Sequence, residues 1–555
     1  MISTHTYEVM GPGDAPLGLA GGTLTLDAGS APHVQASIEV ALDPQTFDSL
    51  DPRNSPRVRI TASRDVGNQT RTFDLGVRTL EVDRARGTTN LTLASDEALL
   101  GDFAPLQDDH FAIKAFSLGT PTLRTVVNSV LSSIGSSGLA AFPANDASVT
   151  PHWDATNYIL NPHAATNANH WATVAATKVW ATGGGVGGVP GYISVGAATG
   201  TSFQAWAQAT AANAATAPKT VRYGDAITAA LSMRSPDTGV SGRIRLGFWN
   251  DAGIIVRWID TPSNPLTSSW TRVVHSVTVP QGAVKVSLVA HFSAAATGKS
   301  AHVDGALLTD GEHDTGHFDG NTPDNGTYLY DWSDAVNAST SSRTLLVDAP
   351  EPEALIWKAG QSALEFLHPL VQASGLRLVC DENRVWTLRD EDYVAPGALN
   401  LRSHVNIVDT NESISRDDAI WFDARVTRYV WTDRSGTRRE RIDSYALPDH
   451  TKLTTVEVGS AYPGPGRSEY AVRRAQGRGR EFQVETVSSW AATAEQPVSI
   501  FLEGVSAQLG AVQALTFDLD TDRMTITTRT TDTPAGAVDL LLGTVHALTG
   551  TVNAL

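Results

Sequence analysis

From Tyr158 to Leu308 the chain offers strand after strand and no helix: KVWAT, GYISVG, AITAALSM, RIRLGFW, IIVRWI, WTRVVHSVTV, VKVSLVAHF and AHVDGALL follow one another between turns. Short, turn-spaced strands of this kind specify stacked antiparallel sheets, since a parallel sheet would need crossover helices between them. A helix pattern lies on each side of the run. PTLRTVVNSVLSSIG puts Leu123, Val126, Val127, Val130, Leu131 and Ile134 on one face, with Gly135 and Gly138 as stops. GQSALEFLHPLVQASG puts Leu364, Leu367, Leu370 and Val371 on one face, with Gly375 as the stop and Pro369 predicting a kink or two short turns. LRLVCDENRVWTLRD then reads as a hairpin turning at Glu382 and Asn383 and packed on that helix. One arrangement accommodates all of this: a β-sandwich of jelly-roll type, inserted into an exposed loop of an α+β unit.

The flanks are also β-rich. GTLTLDAG, VQASIEVAL, RVRITASRD, TFDLGVRTLEVD and TTNLTLAS predict a small antiparallel barrel or sandwich, followed by a short helix in SDEALLGDF. Strands resume after Asn406 in DAIWFDARVTRYVWTD and RRERIDSYAL, a helix is predicted in SEYAVRRAQG, and ALTFDLDTDRMTITTR reads as a hairpin. The expected fold is therefore mainly β and multidomain. Its parts are an N-terminal barrel (1–96), an α+β domain in two pieces (97–150 and 345–400), the inserted sandwich (151–320), an exit linker (321–344), a second barrel (401–531) and a tail (532–555). The linker is drawn from HFDGNTPDNGTYLYDWSDAVNAST, where turn formers crowd out aliphatic residues. In the tail, Val538, Leu541, Val545, Leu548, Val552 and Leu555 alternate spacings of three and four. That pattern fits either a short oligomerisation seam or, given Gly543 and Gly550, an extended segment.

Composition narrows the function. A formal net charge of −18 opposes non-specific contact with nucleic acid, so no specific nucleic-acid binding is expected. The N-terminus lacks a basic and apolar signal pattern, and no apolar run is long enough to span a membrane. The single cysteine, Cys380, alternates with Leu378 and Leu376 and reads as a core residue.

Sugar-binding sandwiches stack an aromatic side chain on a pyranose ring while polar groups take up its hydroxyls. In RIRLGFWN, Ile244, Leu246 and Phe248 make the inner face, leaving Arg243, Arg245 and Trp249 outside. In VKVSLVAHF the outward set is Lys285, Ser287 and His291. Trp249, Arg243, Arg245, Lys285 and His291 are therefore the candidate ligand residues. Arginine stems and aromatics that merely cover a sheet are the competing explanation. Trp258 shares a face with Val256 and Ile254 and is assigned to the core.

Catalytic patterns are weak throughout. His313 and His317 are four apart, but Gly316 interrupts any helix between them and no Glu follows His313, so no metal is assigned there. Asp304 is a weak candidate ligand for a structural Ca²⁺. DLDTDRM has Arg523 where a calcium loop needs Gly, GGGVGG precedes a strand rather than a helix, and Ser362 in GQSAL lacks the elbow's second glycine. No cofactor and no enzymatic activity are expected.

The order of these parts is recognisable. ASIEVALDPQTFDSLDPRNSPRVRI, FDLGVR, SDEALLGDF, TLRTVVNSVLSSIG and WKAGQSALEFLHPLVQASGLRLVCDENRVWTLRD resemble the minor tail proteins of long-tailed actinobacterial phages, in the baseplate-hub family at the tail tip. LNPHAATNANHWATV through AHVDGALLTDGEHDTGHFDGNTPD resembles the carbohydrate-binding-module-like jelly rolls that such proteins carry. The resemblance implies a homotrimeric ring at the distal end of the virion tail, built from two hub-type barrels per subunit. It further implies contacts with the distal tail protein, the tape measure and other minor tail proteins, and a module directed at bacterial envelope glycans. A tail-associated polysaccharide-degrading enzyme, with the jelly roll as its targeting module, is the alternative.

Overall fold

The computed structural model describes residues 4–41, 48–110, 122–198, 200–208, 217, 219–311, 314–417, 421–433, 437–476, 480–503 and 508–530. The protein is mainly β and multidomain. The tail residues Val538, Leu541, Val545, Leu548, Val552 and Leu555 lie outside the described residues, as does His313.

The two ends of the chain meet in one sheet. Strands Leu19–Asp27 and Val34–Ala41 pair with each other, and the first of them also pairs with Gln508–Asp518, Thr23 facing Asp518 and Leu26 facing Leu515. The result is a thirteen-stranded sheet in which the N-terminal strands run directly into the C-terminal ones. Two separate barrels were expected; among the described residues neither set of strands closes on itself by hydrogen bonding. The reason lies in the packing. Leu24, Phe73 and Leu91 share one apolar core with Phe482, Val512, Phe517 and Ile526. Trp490 stacks on Phe517 with ring centroids 4.5 Å apart and meets Phe73 edge-on at 6.3 Å. The N-terminal and C-terminal parts of the sheet thus bury their apolar side chains in one shared core.

The stretch 401–531 also contains a unit of its own. Ala424–Thr432, Arg438–Ala446 and Leu453–Val458 form a separate three-stranded sheet, against which the helix Arg467–Gln476 packs. This part was expected to belong to the second barrel.

The α+β unit is assembled from both sides of the sandwich. Helix Leu123–Ser133 is capped by Thr122, whose hydroxyl accepts from the Thr125 amide, and it buries the predicted Leu123, Val126, Val127, Val130 and Leu131. Helix Ala363–Ala373 begins with a full capping box, in which Ser362 accepts from the Glu365 amide while the Glu365 side chain accepts from the Ser362 amide. Pro369 does not divide this helix. It removes one backbone donor, and burial of Phe366, Leu367, Leu370 and Val371 on both sides of it holds the turns together. Both helices, the hairpin Arg377–Cys380 with Trp386–Arg389, and Trp357 contribute to a single core.

Polar clamps fix this unit to the large sheet. Buried Glu495 is held by Arg377 and by Arg389, the latter at 2.8 Å, while Arg377 also donates to the Ala28 carbonyl at 3.0 Å. Asp96, itself buried, accepts from Arg57 at 2.6 Å and Arg384 at 2.9 Å. Glu97 accepts from the amides of Cys380 and His33, joining three segments at one carboxyl.

The insert leaves and re-enters this frame at one place. Ala155–Asn157 pairs antiparallel with Ser341–Leu345, Asn157 facing Ser341, and Ser341–Leu345 pairs in turn with Tyr328–Trp332. The expected exit linker is therefore a small packed sheet. Phe318, Tyr328 and Trp332 are buried in it, and Gly320 admits Trp332 so closely that a Cβ there would fall 2.3 Å from the indole. The Arg343 guanidinium lies over Tyr328 at 4.4 Å and Trp153 at 5.1 Å and donates to the Trp153 and Thr315 carbonyls.

The insert itself is a sandwich of a seven-stranded front sheet and a five-stranded back sheet. Its core takes Ile244, Leu246, Phe248, Val286, Leu288 and Phe292 from the front and Ile193, Leu231, Val303 and Leu308 from the back.

Candidate functional site

With that core fixed, the alternate residues of the front sheet must face outward, because strand side chains have a period of two. Strand pairing then sets them in rows. Gln204, His291 and Arg243 lie side by side across Ser202–Ala207, Lys285–Ala294 and Val240–Trp249. Next to them come Trp206, Val289, Arg245 and Asp260, and then Ser287, Gly247 and Trp258. Lys285 and Trp249 end the face. Arg243, Arg245, Lys285, His291 and Trp249 are thus on one surface.

They do not play equal parts. Arg245 makes a two-pronged contact with Asp260, Nε to Oδ1 at 2.9 Å and Nη2 to Oδ2 at 2.8 Å, and its guanidinium lies over the Trp258 ring at 5.1 Å. Arg243 Nε is 3.4 Å from Asp260 Oδ2, with no hydrogen bond of its own. Burial pushes the Asp260 carboxyl up, but the Arg245 hydrogen bond and the charges of both arginines outweigh it and hold the group below the usual carboxylate range. His291 Nε2 is 3.2 Å from the Ser202 hydroxyl. Burial first, then Arg245 and Arg243, push its pKa down to about 4, so the imidazole is neutral at pH 7.

Trp249 requires a correction. It was expected to offer an open ring, yet it is 1% exposed, packed with Trp206 and Val289, and its Nε1 donates to the Ser287 hydroxyl at 2.9 Å. It supports the surface from beneath. Trp258, assigned to the core from its neighbours, is instead 37% exposed on the outer face. The regular register that pairs Arg245 with Asp260 places it opposite Gly247, and Ile254 and Val256, with which it was grouped, are exposed as well. A Cβ at Gly247 would lie 2.8 Å from the Trp258 ring, so only glycine lets the indole lie across the sheet there. Gln204 and Trp206 lie on the same outward side, Trp206 buried beside Trp249, and Asp260 also belongs to this surface. The alternation of SFQAWA could have disclosed the first two, but the alanine-rich stretch after it blurs the strand.

Asp304 is occupied by the protein itself. It accepts from the Val186 and Gly305 amides, each at 2.7 Å, and lies 3.1 Å from His163 Nδ1; burial raises its carboxyl. It seats the GGGVGG loop, in which a Cβ at Gly185 would fall 2.5 Å from the Gly191 carbonyl. Among the described residues, no three His, Cys, Asp or Glu side chains are grouped to hold a metal ion.

The fold and this face define a class: a mainly β, multidomain protein carrying an inserted two-sheet sandwich with a polar, aromatic-lined outer surface. No family model matches the chain, and no curated protein matches it. Among solved structures, phage tail proteins align with nearly all of it. The 43 kDa tail protein of prophage MuSo2 from Shewanella oneidensis is 8% identical, over 95% of this chain and 98% of its own, with a TM-score of 0.37. The tail protein from Neisseria meningitidis MC58 is 8% identical over 95% and 96%, also with a TM-score of 0.37. A family 22 carbohydrate-binding module of Clostridium thermocellum Xyn10B is 11% identical over 28% of this chain and 93% of its own, with a TM-score of 0.22. Three structures whose titles name an enzyme or an enzymatic domain are matched over 21%, 27% and 30% of their own lengths. At these scores the likenesses carry no argument about function.

Proposed function

We propose that the protein is a structural component of a phage tail: a hub subunit that assembles as a homotrimer at the distal end of the tail and presents its sandwich to bacterial envelope glycans. The observation that carries this reading is the two-part frame. Its α+β core and its large sheet are each completed by segments on opposite sides of the insert, and both cores are made of residues outside it. Such a frame suits a ring that must stay rigid under load, and the order of parts in the sequence supports the same reading. The distal tail protein, the tape measure and other minor tail proteins are its expected neighbours.

In this reading the front-sheet face binds sugar and the chain performs no chemistry on it. Several sandwiches displayed on one ring would turn weak contacts into firm attachment, because each bound module raises the effective concentration of the others. Native mass measurement of the full chain tests the assembly, with three copies as the expected result. Glycan-array binding that is lost in Trp258→Ala tests the face. A monomer that releases reducing sugars from envelope polysaccharide overturns the proposal in favour of an enzyme.

A further inference from the structure

Charge on the front-sheet face differs in sign from charge on the chain as a whole. The outward positions of its strands hold three cations, Arg243, Arg245 and Lys285, and a single carboxylate, Asp260. The chain carries 41 basic against 59 acidic side chains, so a cationic surplus on this sheet face is a local departure from the whole. Asp260 cannot satisfy both arginines. Its two oxygens are taken by Arg245 in the paired geometry, and Arg243 is left with an ion pair at 3.4 Å; its buried Nε is closed to a ligand, so the partly exposed remainder of its guanidinium is what a ligand can meet. His291, between Gln204 and Arg243, adds no charge near neutrality and offers only ring nitrogens.

A guanidinium with unspent donors matches carboxylate and phosphate oxygens better than it matches hydroxyls, since ionised acceptors make roughly twice the contribution of neutral ones. The exposed Trp258 edge supplies the apolar surface for a ring beside that charge. Resting on the reading of this face as a sugar site, we infer that its ligand is an anionic glycan, a saccharide chain bearing carboxylate or phosphate groups. The acid group is received by Arg243 and drawn in by Lys285, and the adjoining ring lies against Trp258. A neutral glycan would leave the positive surplus buried beneath it without compensation.

The test uses the full chain and three probes of similar length: an oligogalacturonate, a poly(glycerol phosphate) oligomer and neutral xylohexaose. The expected result is binding to at least one acidic probe at least tenfold tighter than to the neutral one. That preference should fall about tenfold as salt rises from about 50 to 500 mM. Which acidic probe binds identifies the group as carboxylate or phosphate. Arg243→Gln and Lys285→Gln, both checked for unchanged thermal unfolding, are expected to abolish the preference, whereas Trp258→Ala weakens all bound probes alike. Equal affinity for neutral and acidic probes, lost in Trp258→Ala, overturns the anionic inference and leaves the sugar site standing. Binding to none of the probes, nor to any member of a mixed neutral and acidic array, overturns both.

Discussion

Val126 and Leu367 lie in the same hydrophobic core, although the whole sandwich separates them along the chain. Because the core is complete only when both helices are present, the two pieces of the α+β unit must fold as one. Leu367→Ala, at a fully buried position, is expected to cost about 2–5 kcal/mol, as large-to-small changes in packed cores do. Urea unfolding of the variant and the parent, followed by circular dichroism, checks this. A loss below about 1 kcal/mol would mean that the helix is not part of a tight core.

Glu495 ties the hairpin of that unit to the large sheet through Arg377 and Arg389. Glu495→Ala leaves two buried guanidiniums without an anion and is expected to destabilise by roughly 3–5 kcal/mol. The same measurement on Arg523→Ala, whose partner Glu485 is partly exposed, should change by less than about 1 kcal/mol. Similar losses in both variants would contradict the clamp.

Glu97 gives the frame a pH dependence with a definite sign. Burial pushes its carboxyl up to about 8, against backbone hydrogen bonds from Cys380 and His33 and the charge of Arg389, which act to lower it. A folded-state pKa above the unfolded 4.5 means the fold holds a proton that the unfolded chain has released. Its stabilising contribution is therefore complete below about pH 4.5 and lost as pH rises through 8. Neighbouring His33, pushed down to about 4 mainly by its own burial, acts oppositely between pH 4 and 6.5. From pH 6.5 to 8 Glu97 is the group of this pair that changes. Glu97→Gln should flatten the decline in stability across that window, an effect on the order of 1–2 kcal/mol. Melting temperatures of both proteins at pH 6.5 and 8 check it, and parallel declines would contradict it.

The two tryptophans of the front sheet should separate by substitution. Trp249→Ala empties a site that is 1% exposed and removes the hydrogen bond donated to Ser287, so about 3–5 kcal/mol of stability should be lost. Trp258→Ala should change stability by less than about 1 kcal/mol and reduce glycan binding. Thermal unfolding and glycan titration of both variants check the pair; binding lost with unchanged stability in Trp249→Ala would reverse the assignment.

Periodicity carried much of the architecture. The helix over Leu123–Ser133 and the inner face of RIRLGFW could be read because their spacing directly states which side is buried. The merging of the terminal strands into one sheet could not, since the alternation of Thr23, Thr25 and Asp27 with Leu24 and Leu26 gives a face but not a partner strand. The site was half legible for the same reason. Alternation put Arg243, Arg245 and Trp249 on the outer side. Whether an outward tryptophan is open or covered depends on the neighbouring strands: Trp249 is covered by Trp206 and Val289, whereas Trp258 stands exposed on the edge strand, with Ile254 and Val256 exposed as well. In the linker, turn formers concealed a sheet because Asp324, Asn325 and Ser333 make the turns and caps around strands only five residues long.

The account stands on the sandwich being a passenger, and its removal is the direct test. Residues 151–346 are replaced by a short Gly-Ser bridge, and thermal unfolding is compared with that of the full chain. The account predicts a folded variant with a cooperative transition, native burial of Trp357 and Trp386, and the same number of copies per assembly as the full chain. An unfolded or aggregated variant, recovered by no bridge length, would show that the frame depends on its insert and would contradict the account.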